Sequence, residues 1–250
     1  MEFETQIETK ELSVHFGKKQ VLRGVDLCAP ARRITAVIGQ SGCGKSTLLK
    51  SLNRIAEEEG ATISGGIYLA GRDTEQMSRQ RLRRDVGLVF QQPVIFPCSI
   101  EKNMRYALDY HFHYTKEERA AAIRKYLELA ELYEEVKDRM ELSAAGLSGG
   151  QQQRLSIARA LSVEPKVLLL DEPCSALDLK NTMAIEAMLC RLKERYTILI
   201  VTHNLAQARR IADRIILMDG GEIVETGDAG AFFAGPGTEL GRAYIHYMEV

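Results

Sequence analysis

The sequence predicts an α/β protein with a mostly parallel core sheet, a small antiparallel β part and an inserted helical part. Short β-rich runs bounded by Gly and Asp recur along the chain, at 34–38, 86–90, 167–170, 197–201, 215–218 and 222–226. Several of these runs are apolar throughout, which indicates strands buried on both faces of a parallel sheet that helices cover. Helical patterns separate several of the runs, as an α/β fold requires.

Composition limits the class of protein. The chain has 250 residues, of which 45% are hydrophobic and 27% charged, enough to bury a large core. Its longest apolar runs fall far short of the roughly 18 residues of a membrane-spanning helix. The start of the chain is acidic and lacks the apolar core of a secretory signal, so we expect the protein to remain in the cytosol.

Charge and cysteine usage exclude two further classes. The formal net charge is -1, which provides no broad basic field for nucleic acid. The one basic run, at 79–84, is typical of a solvated helix face. The number of cysteines, 5, is odd and no close pairs occur, which argues against a disulfide framework and against a zinc site. We therefore expect reduced thiols.

Outside the core sheet, two more parts are predicted. Two short runs indicate strands of a small antiparallel sheet, 7–14 and 67–70. From 114 to 132 the chain is rich in Ala, Glu, Lys and Leu, with apolar residues at helical spacing. Thr115 and Glu118 are spaced for a capping box at the start of this helical insert.

A phosphate-binding loop is predicted between the first apolar run and a helical pattern, the context that G-x-x-x-x-G-K-[ST] requires. The candidate nucleotide-binding residues there are Gly39, Gln40, Ser41, Gly42, Cys43, Gly44, Lys45, Ser46 and Thr47. Glycines let successive backbone N–H groups face a phosphate, and the helix dipole adds its positive end. Lys45 would bridge the outer phosphates of a nucleoside triphosphate, and the Ser46 hydroxyl would bind Mg²⁺.

Two carboxylates end a later apolar run. Asp171 and Glu172 follow 167–170 and so lie at the C-terminal edge of a strand, where α/β sheets place ligands. Asp171 would hold Mg²⁺, usually through water, because a hard cation prefers oxygen ligands. Glu172 would polarise the attacking water as general base. The alternative, a surface turn before a proline, loses weight beside the phosphate-binding loop.

A second phosphate-facing helix start is predicted at 147–154, which reads Leu-Ser-Gly-Gly-Gln-Gln-Gln-Arg. Ser148 is a good N-cap residue, and Gln151 is spaced to complete a capping box. Gly149 and Gly150 leave backbone N–H groups open to an anion. One chain has no evident use for two such sites on one triphosphate, so this segment discriminates among the many classes that share a phosphate-binding loop.

The segment 147–154 resembles the signature sequence of ATP-binding-cassette (ABC) proteins. In that family, the signature of one subunit meets the γ-phosphate that the phosphate-binding loop of the other subunit holds. The resemblance therefore implies a head-to-tail homodimer around two ATP molecules, with Mg²⁺. It also implies a domain, 1–250, made of an ATP-binding core at approximately 1–90 and 160–250, including the antiparallel part, and a helical subdomain at 91–159 with the signature.

Further elements of the family occur in order, and the resemblance assigns them roles. Phe16 would stack on adenine, and Asp178 in 175–178 would organise the dimer contact. Gln91 would sense the metal and couple to the transport side, and His203 would steady the γ-phosphate. The expected catalytic residues are Glu172, His203 and Gln91, and the expected metal-binding residues are Ser46, Gln91 and Asp171.

Within the family, the chain is most similar to the ATP-binding subunit of bacterial phosphate importers. Three stretches carry this likeness, 38–54, 86–100 and 163–178, and the chain departs at Gln40 and Leu179, where that subfamily commonly has Pro. The likeness implies uptake of phosphate through transmembrane permease subunits, with a solute-binding protein as indirect partner, at the cytoplasmic face of the inner membrane. Another solute, an amino acid or oxyanion, remains an alternative.

The exposed apolar segment 94–97 follows Gln91 and is expected to belong to the permease docking surface, with loop packing as the alternative. A soluble ABC ATPase acting on DNA or ribosomes would usually carry coiled-coil inserts, tandem cassettes or basic arms. A phosphoryl transferase acting on a metabolite would not need 147–151. A nucleotide switch is disfavoured by Glu172, which supplies a base for turnover.

Overall fold

The structure, a computed structural model, describes residues 4–248, so the outer ends of the predicted domain, 1–3 and 249–250, lie outside the described residues. The sequence also favours a helix at 235–250, and the end of that range lies outside the described residues too. The strands are β1 (Thr5–Phe16), β2 (Lys19–Val25), β3 (Cys28–Pro30), β4 (Ile34–Gly39), β5 (Ala61–Leu69), β6 (Arg72–Asp73), β7 (Val86–Val89), β8 (Val167–Asp171), β9 (Thr197–Val201), β10 (Arg214–Asp219) and β11 (Glu222–Asp228). The helices are α1 (Lys45–Leu52), α2 (Ile55–Glu58), α3 (Arg79–Asp85), α4 (Ile100–His111), α5 (Lys116–Leu129), α6 (Tyr133–Val136), α7 (Gly149–Leu161), α8 (Leu179–Leu192), α9 (Leu205–Ile211), α10 (Ala229–Ala234) and α11 (Glu239–Met248).

The core is a six-stranded sheet in the order β11-β10-β4-β9-β8-β7, parallel except for β11. Every residue of β4, β8 and β9 is buried. This burial explains their unbroken apolar runs, since other elements cover both faces of a parallel sheet. The predicted core strands are confirmed, with only their ends adjusted.

A second, five-stranded sheet has the order β2-β1-β5-β6, with β3 paired to the start of β1. Gly17, with φ 57°, makes the tight turn between β1 and β2, a conformation that favours glycine. The predicted runs 7–14 and 67–70 fall on β1 and β5, confirming the antiparallel part. β2 and β3 were not predicted, because polar residues interrupt the apolar pattern of β2 and β3 is very short.

Apolar side chains form two clusters on opposite faces of the core sheet. Along β4, Ala36 and Ile38 belong to one cluster and Val37 to the other, because successive side chains of a strand point to opposite faces. The first cluster joins the core sheet to α4, α5 and α7. The second joins it to α1 and the antiparallel sheet. Both layers therefore pack directly on the strands that end at the candidate site.

The predicted helical insert is confirmed and extended. Thr115 Oγ1 accepts the backbone N–H of Glu118 at 3.2 Å, and Glu118 Oε2 accepts that of Thr115 at 2.8 Å, so the capping box of α5 forms. The prediction missed α4, although Ile100, Met104 and Leu108 are buried at every fourth position. The spacing that reveals α4 is present in the sequence.

The basic run and the thiols behave as predicted. Arg79 and Arg83 of α3 pair with Glu57 and Glu58 at 2.9 and 2.7 Å, so the run is a solvated helix face neutralised by acids. Each cysteine is a free thiol. Among the described residues, no helix has both the length and the apolarity to cross a bilayer.

Candidate functional site

The phosphate-binding loop connects β4 to α1 and requires glycine at two positions. Gly39 has φ 149°, and a Cβ there would lie 2.2 Å from the carbonyl oxygen of Met218 on β10. Gly44 has φ 105°, and a Cβ there would lie 2.7 Å from Leu22 Cδ2 on β2. A larger residue at either position would push the loop off the strands that support it.

Lys45, the first residue of α1, reaches back into the loop. Its Nζ donates to the carbonyl oxygens of Gly39 at 2.8 Å and Gln40 at 2.7 Å, and the residue is buried. Cys43 Sγ lies 3.9 Å from the same Nζ, and burial raises the pKa of the Cys43 thiol. The loop thus combines an ammonium group with a helix start, an arrangement that favours an anion.

Asp171 ends β8 beside the start of α1. The Ser46 hydroxyl donates to Asp171 Oδ1 at 2.9 Å. Burial raises the pKa of Asp171 and outweighs this hydrogen bond, which lowers it. Ser46 and Asp171 supply the hard oxygen ligands that Mg²⁺ prefers, and the cation would offset the cost of burying the carboxylate. The two residues therefore fit the metal predicted for them.

The predicted catalytic residues converge on Glu172. Gln91 Nε2 donates to Glu172 Oε2 at 3.3 Å, and His203 Nδ1 lies 2.9 Å from the same oxygen. The backbone N–H of Glu172 donates to the Val201 carbonyl on β9 at 3.0 Å, and its φ of 42° turns the chain sharply after β8. Gln91 Nε2 also donates to Ser175 Oγ at 3.3 Å. The adjacent ends of β7, β8 and β9 thus bring these side chains together.

An open cleft of about 580 Å³ collects most of these groups, a volume typical of small-ligand sites. Its lining residues are Lys19, Val21, Ser41, Gly42, Gly44, Lys45, Ser46, Thr47, Gln91, Glu172 and His203. Lys19 and Val21, which lie on β2, were not predicted as site residues. The position of β2 beside the loop is a tertiary contact, in which Leu22 and Val21 lie against Gly44.

Other predicted residues lie apart from the cleft lining. Phe16 ends β1, is half-buried and packs against the second apolar cluster; its partner across the hairpin is Lys19. Among the described residues, the lining includes neither 148–151 nor Asp178. Adenine stacking by Phe16 and the dimer roles of 148–151 and Asp178 stay predictions.

The signature segment forms its predicted capping box at the start of α7. Ser148 Oγ accepts the backbone N–H of Gln151 at 3.3 Å, and Gln151 Oε1 accepts that of Ser148 at 3.0 Å. Gly150 is buried, and a Cβ there would lie 2.5 Å from Asn181 Oδ1 on α8. Glycine at this position therefore has a packing reason in addition to the expected exposure of backbone to an anion.

Asp178 caps α8 and is linked to the signature through one side chain. Its Oδ1 accepts the backbone N–H of Asn181 at 2.9 Å, and its Oδ2 accepts Asn181 Nδ2 at 2.7 Å. These bonds hold the pKa of Asp178 below its ordinary value. Because Asn181 also packs against Gly150, the start of α8 and the start of α7 form one contact unit. Asn181 was not predicted as a site residue.

The chain matches the ABC transporter family over residues 22–175. It belongs to that family. A solved structure similar to this domain is that of a bacterial Atm1-family ABC exporter with ATP bound, with a TM-score of 0.83 and 24% sequence identity. The match covers 100% of this chain and 43% of the exporter chain, so this ABC domain spans less than half of that relative.

Family membership confirms the coarser predictions. The chain is an ABC ATPase domain with the P-loop NTPase fold, of a family whose domains bind ATP, generally with Mg²⁺. Such domains generally dimerise and pair with transmembrane subunits.

Proposed function

We propose that this chain is the ATP-hydrolysing subunit of an ABC importer. It couples ATP binding and hydrolysis to uptake of a solute through a membrane permease, and the solute we propose is inorganic phosphate. The convergence of Gln91 and His203 on Glu172 Oε2, at 3.3 and 2.9 Å, carries the catalytic part of this proposal. A carboxylate held by two side chains beside a phosphate-binding loop supports general-base hydrolysis.

Hydrolysis transfers the γ-phosphoryl group of ATP to water. Glu172 accepts a proton from the water as its oxygen attacks the γ-phosphorus, and ADP leaves with the bridging oxygen. Lys45 and the backbone N–H groups at the start of α1 bind the charged phosphate oxygens. His203 holds Glu172 through the shared oxygen contact and steadies the γ-phosphate in the transition state.

Ser46 and Asp171 would hold Mg²⁺, which when bound neutralises charge on the phosphates. Their hydroxyl and carboxylate lie 2.9 Å apart, a separation that both oxygens of one coordination shell can adopt. Gln91 joins Glu172 to Ser175 and would report the occupancy of this site to the helical part.

A head-to-tail homodimer would complete the site. Residues 148–151 are built as a phosphate-facing helix start, yet other residues line the cleft of the same chain. Next to Asp178, α8 exposes Leu179 by 71% and Met183 by 55%, one helical turn apart on one face. A second copy would cover both apolar side chains as its phosphate-binding loop meets this signature.

The permease contact is proposed at a groove beside 94–97. Val94, Tyr106 and Tyr110 line it and are exposed by 45%, 68% and 63%. Phe96 is half-buried and packs on Tyr106, with ring centroids 4.8 Å apart, so part of the segment serves loop packing, the alternative considered for it. A rim of exposed apolar surface around a groove is typical of a protein contact.

The domain boundaries give this contact a mechanical use. The helical subdomain, 91–159, carries the signature, and the core, approximately 1–90 and 160–250, carries the phosphate-binding loop. The groove lies where the two meet, because residues of both ranges line it. Closure of the dimer on ATP and its opening after hydrolysis would move the helical subdomain, and the permease would follow.

Phosphate import rests on the likeness of 38–54, 86–100 and 163–178 to phosphate importers. An ATP-binding subunit does not touch the solute, so another oxyanion or an amino acid is the alternative. A second alternative is a soluble ABC ATPase without a membrane partner. The exposed groove beside 94–97 disfavours it. The similar exporter shares the fold, and at 24% identity that likeness does not bear on direction.

The catalytic proposal is tested by ATP turnover of the wild type and Glu172→Gln, with the molar mass in solution measured with and without ATP and Mg²⁺. We expect turnover to fall by about 10²–10⁴-fold and the variant to form a stable ATP-dependent dimer. Glu134→Gln, on the exposed side of α6, is the control and keeps both properties. Normal turnover by Glu172→Gln would exclude Glu172 as the general base. A variant that binds ATP but remains monomeric would exclude the head-to-tail dimer.

The solute is tested by uptake of radiolabelled phosphate and of labelled amino acids in cells lacking this chain. Restored phosphate uptake with the wild type, but not with Glu172→Gln, is the expected result. Restoration of amino acid uptake alone would replace phosphate as the solute. If the wild-type chain restores growth of these cells but restores no uptake, and if the chain is absent from washed membranes, the soluble alternative would be favoured.

A further inference from the structure

We infer that Glu135 is a positioning residue for the signature segment: its carboxylate orients the Gln151 side chain and thereby sets the helix start that a second copy's ATP would meet. The inference rests on the proposed head-to-tail dimer and deepens it. Glu135 lies on α6, well before the signature in sequence, and no motif points to it.

Both oxygens of Glu135 are engaged by side chains of α7. Gln151 Nε2 donates to Glu135 Oε2 at 2.7 Å, and Arg154 Nη1 donates to Glu135 Oε1 at 2.7 Å. Arg154 also donates to the Glu131 carbonyl oxygen, and Glu131 forms an ion pair with Arg191 of α8. The first two turns of the signature helix α7 are therefore bonded to α6 through Glu135. They are also linked to α8 through Glu131, which follows α5.

Charge makes these contacts strong. The side chain of Arg154 is only 8% exposed, and a buried guanidinium needs an anionic partner. Burial alone would raise the pKa of Glu135, yet the bonds from Arg154 and Gln151 outweigh burial and lower it. Glu135 is thus ionised at neutral pH, and its hydrogen bonds are of the charge-assisted kind.

The two ends of the Gln151 amide have different partners, and this difference explains how Glu135 affects the signature segment. Its Oε1 accepts the backbone N–H of Ser148, while its Nε2 faces Glu135. If the amide turned over, two N–H donors would meet at Ser148, and the amide oxygen would face a carboxylate. Glu135 therefore selects the one amide orientation that closes the capping box, and the box sets the direction of the backbone at Gly149.

The test compares Glu135→Gln with Glu134→Gln, both in the Glu172→Gln background. Glu134 is the matched control, because it is adjacent on α6 and pairs with Lys137 at 2.6 Å instead of with α7. Two quantities are measured: the ATP-dependent monomer–dimer equilibrium by sedimentation, and binding of a fluorescent ATP analogue to the monomer at protein concentrations below dimerisation. Thermal unfolding of each variant monitors folding.

We expect Glu135→Gln to raise the dimer dissociation constant roughly tenfold, the effect of about one charge-assisted hydrogen bond. Its monomer should bind the analogue within about twofold of the parent, because the phosphate-binding loop is untouched. Glu135→Asp keeps the charge, shortens the reach and should fall between parent and Glu135→Gln. This second variant reports on the carboxylate if Glu135→Gln folds poorly.

Three results would overturn the inference. If the Glu172→Gln parent does not dimerise with ATP, the proposed sandwich fails and the inference fails with it. If the parent dimerises and Glu135→Gln dimerises as tightly, the sandwich stands and the inference alone is wrong. If Glu135→Gln weakens analogue binding by the monomer as much as dimerisation, its role is general stability and not positioning.

Discussion

The phosphate-binding loop and the signature segment are both glycine-containing helix starts, but they are equipped differently. At the loop, Lys45, Ser46 and Glu172 line one cleft and supply an ammonium, a hydroxyl and a carboxylate. At the signature, the polar groups of Ser148 and Gln151 form the hydrogen bonds of a capping box. The first region carries reactive groups, and the second carries a fixed backbone.

Two carboxyl groups show the same contrast in electrostatic terms. Asp171, beside the loop, has a pKa that burial raises, so its charge is poorly compensated within the chain. Glu135, beside the signature, has a pKa that hydrogen bonds from Arg154 and Gln151 lower. The loop region is therefore prepared to gain a cation, whereas the signature region is already neutralised. A bound cation would therefore offset the cost of the Asp171 charge, whereas the Glu135 charge already has its partners.

The largest effect that tests the comparison is on nucleotide binding by the monomer. Lys45→Ala should weaken binding of a fluorescent ATP analogue by roughly 100-fold, because charge-assisted bonds to phosphate oxygens are lost. Lys50→Ala, on the same helix but paired with Glu59 at 2.7 Å, is the control and should bind normally. If Lys45→Ala also bound normally, the ammonium group of the loop would not contribute to phosphate binding.

The next effect breaks the signature without touching the loop. Gly150→Ala should lower ATP turnover about tenfold or more, since its Cβ would lie 2.5 Å from Asn181 Oδ1 and misplace the helix start. Analogue binding by the monomer should not change. Gly146→Ala adds a methyl group where nothing lies within 4 Å and should retain turnover. Equal turnover in both variants would show that the contact between Gly150 and Asn181 does not set the position of the signature.

A smaller effect sharpens the same contact. The double variant Gly150→Ala and Asn181→Ala removes the side chain that the new methyl group meets, and should recover several-fold of the lost turnover. Asn181→Ala alone should cost activity, because Asp178 then loses the side-chain bond at 2.7 Å. Steady-state turnover of all four proteins gives the coupling, and strictly additive losses would show that the two residues do not act through each other.

The smallest effect is on the stability of the nucleotide-free protein. Because the folded state raises the pKa of Asp171, ionisation of this carboxyl costs stability as the pH rises through that pKa. Asp171→Asn removes the charge and keeps an acceptor for Ser46, so at neutral pH its Tm should rise, by a few degrees at most in a chain of this size.

The gain from Asp171→Asn should shrink as the pH falls and wild-type Asp171 becomes protonated. Asp138→Asn, at an exposed position, is the control and should leave the Tm unchanged. Scanning calorimetry across pH without nucleotide measures both. A lower Tm for Asp171→Asn at neutral pH would mean that the carboxylate is already well compensated.

Local signals account for what was predicted correctly. The phosphate-binding loop is a contiguous pattern after an apolar run, and both capping boxes depend on residues three apart, Thr115 with Glu118 and Ser148 with Gln151. Fully buried strands such as β8 need no alternation and so stand out as apolar runs. The site residues that were missed make contacts between segments: Lys19 on β2 beside the loop, and Asn181 of α8 against the signature helix. The helix α4 was missed although its own spacing indicates it.

The sequence by itself determined the fold class, the phosphate-binding loop, the two carboxylates after β8 and the signature segment, because each is written in neighbouring residues. Only the tertiary structure decided that Gln91 and His203 meet on one oxygen of Glu172, that Asn181 fills the space over Gly150, and that Glu135 faces Gln151. These contacts join residues far apart in the chain, and strand order and helix packing alone bring them within hydrogen-bonding distance.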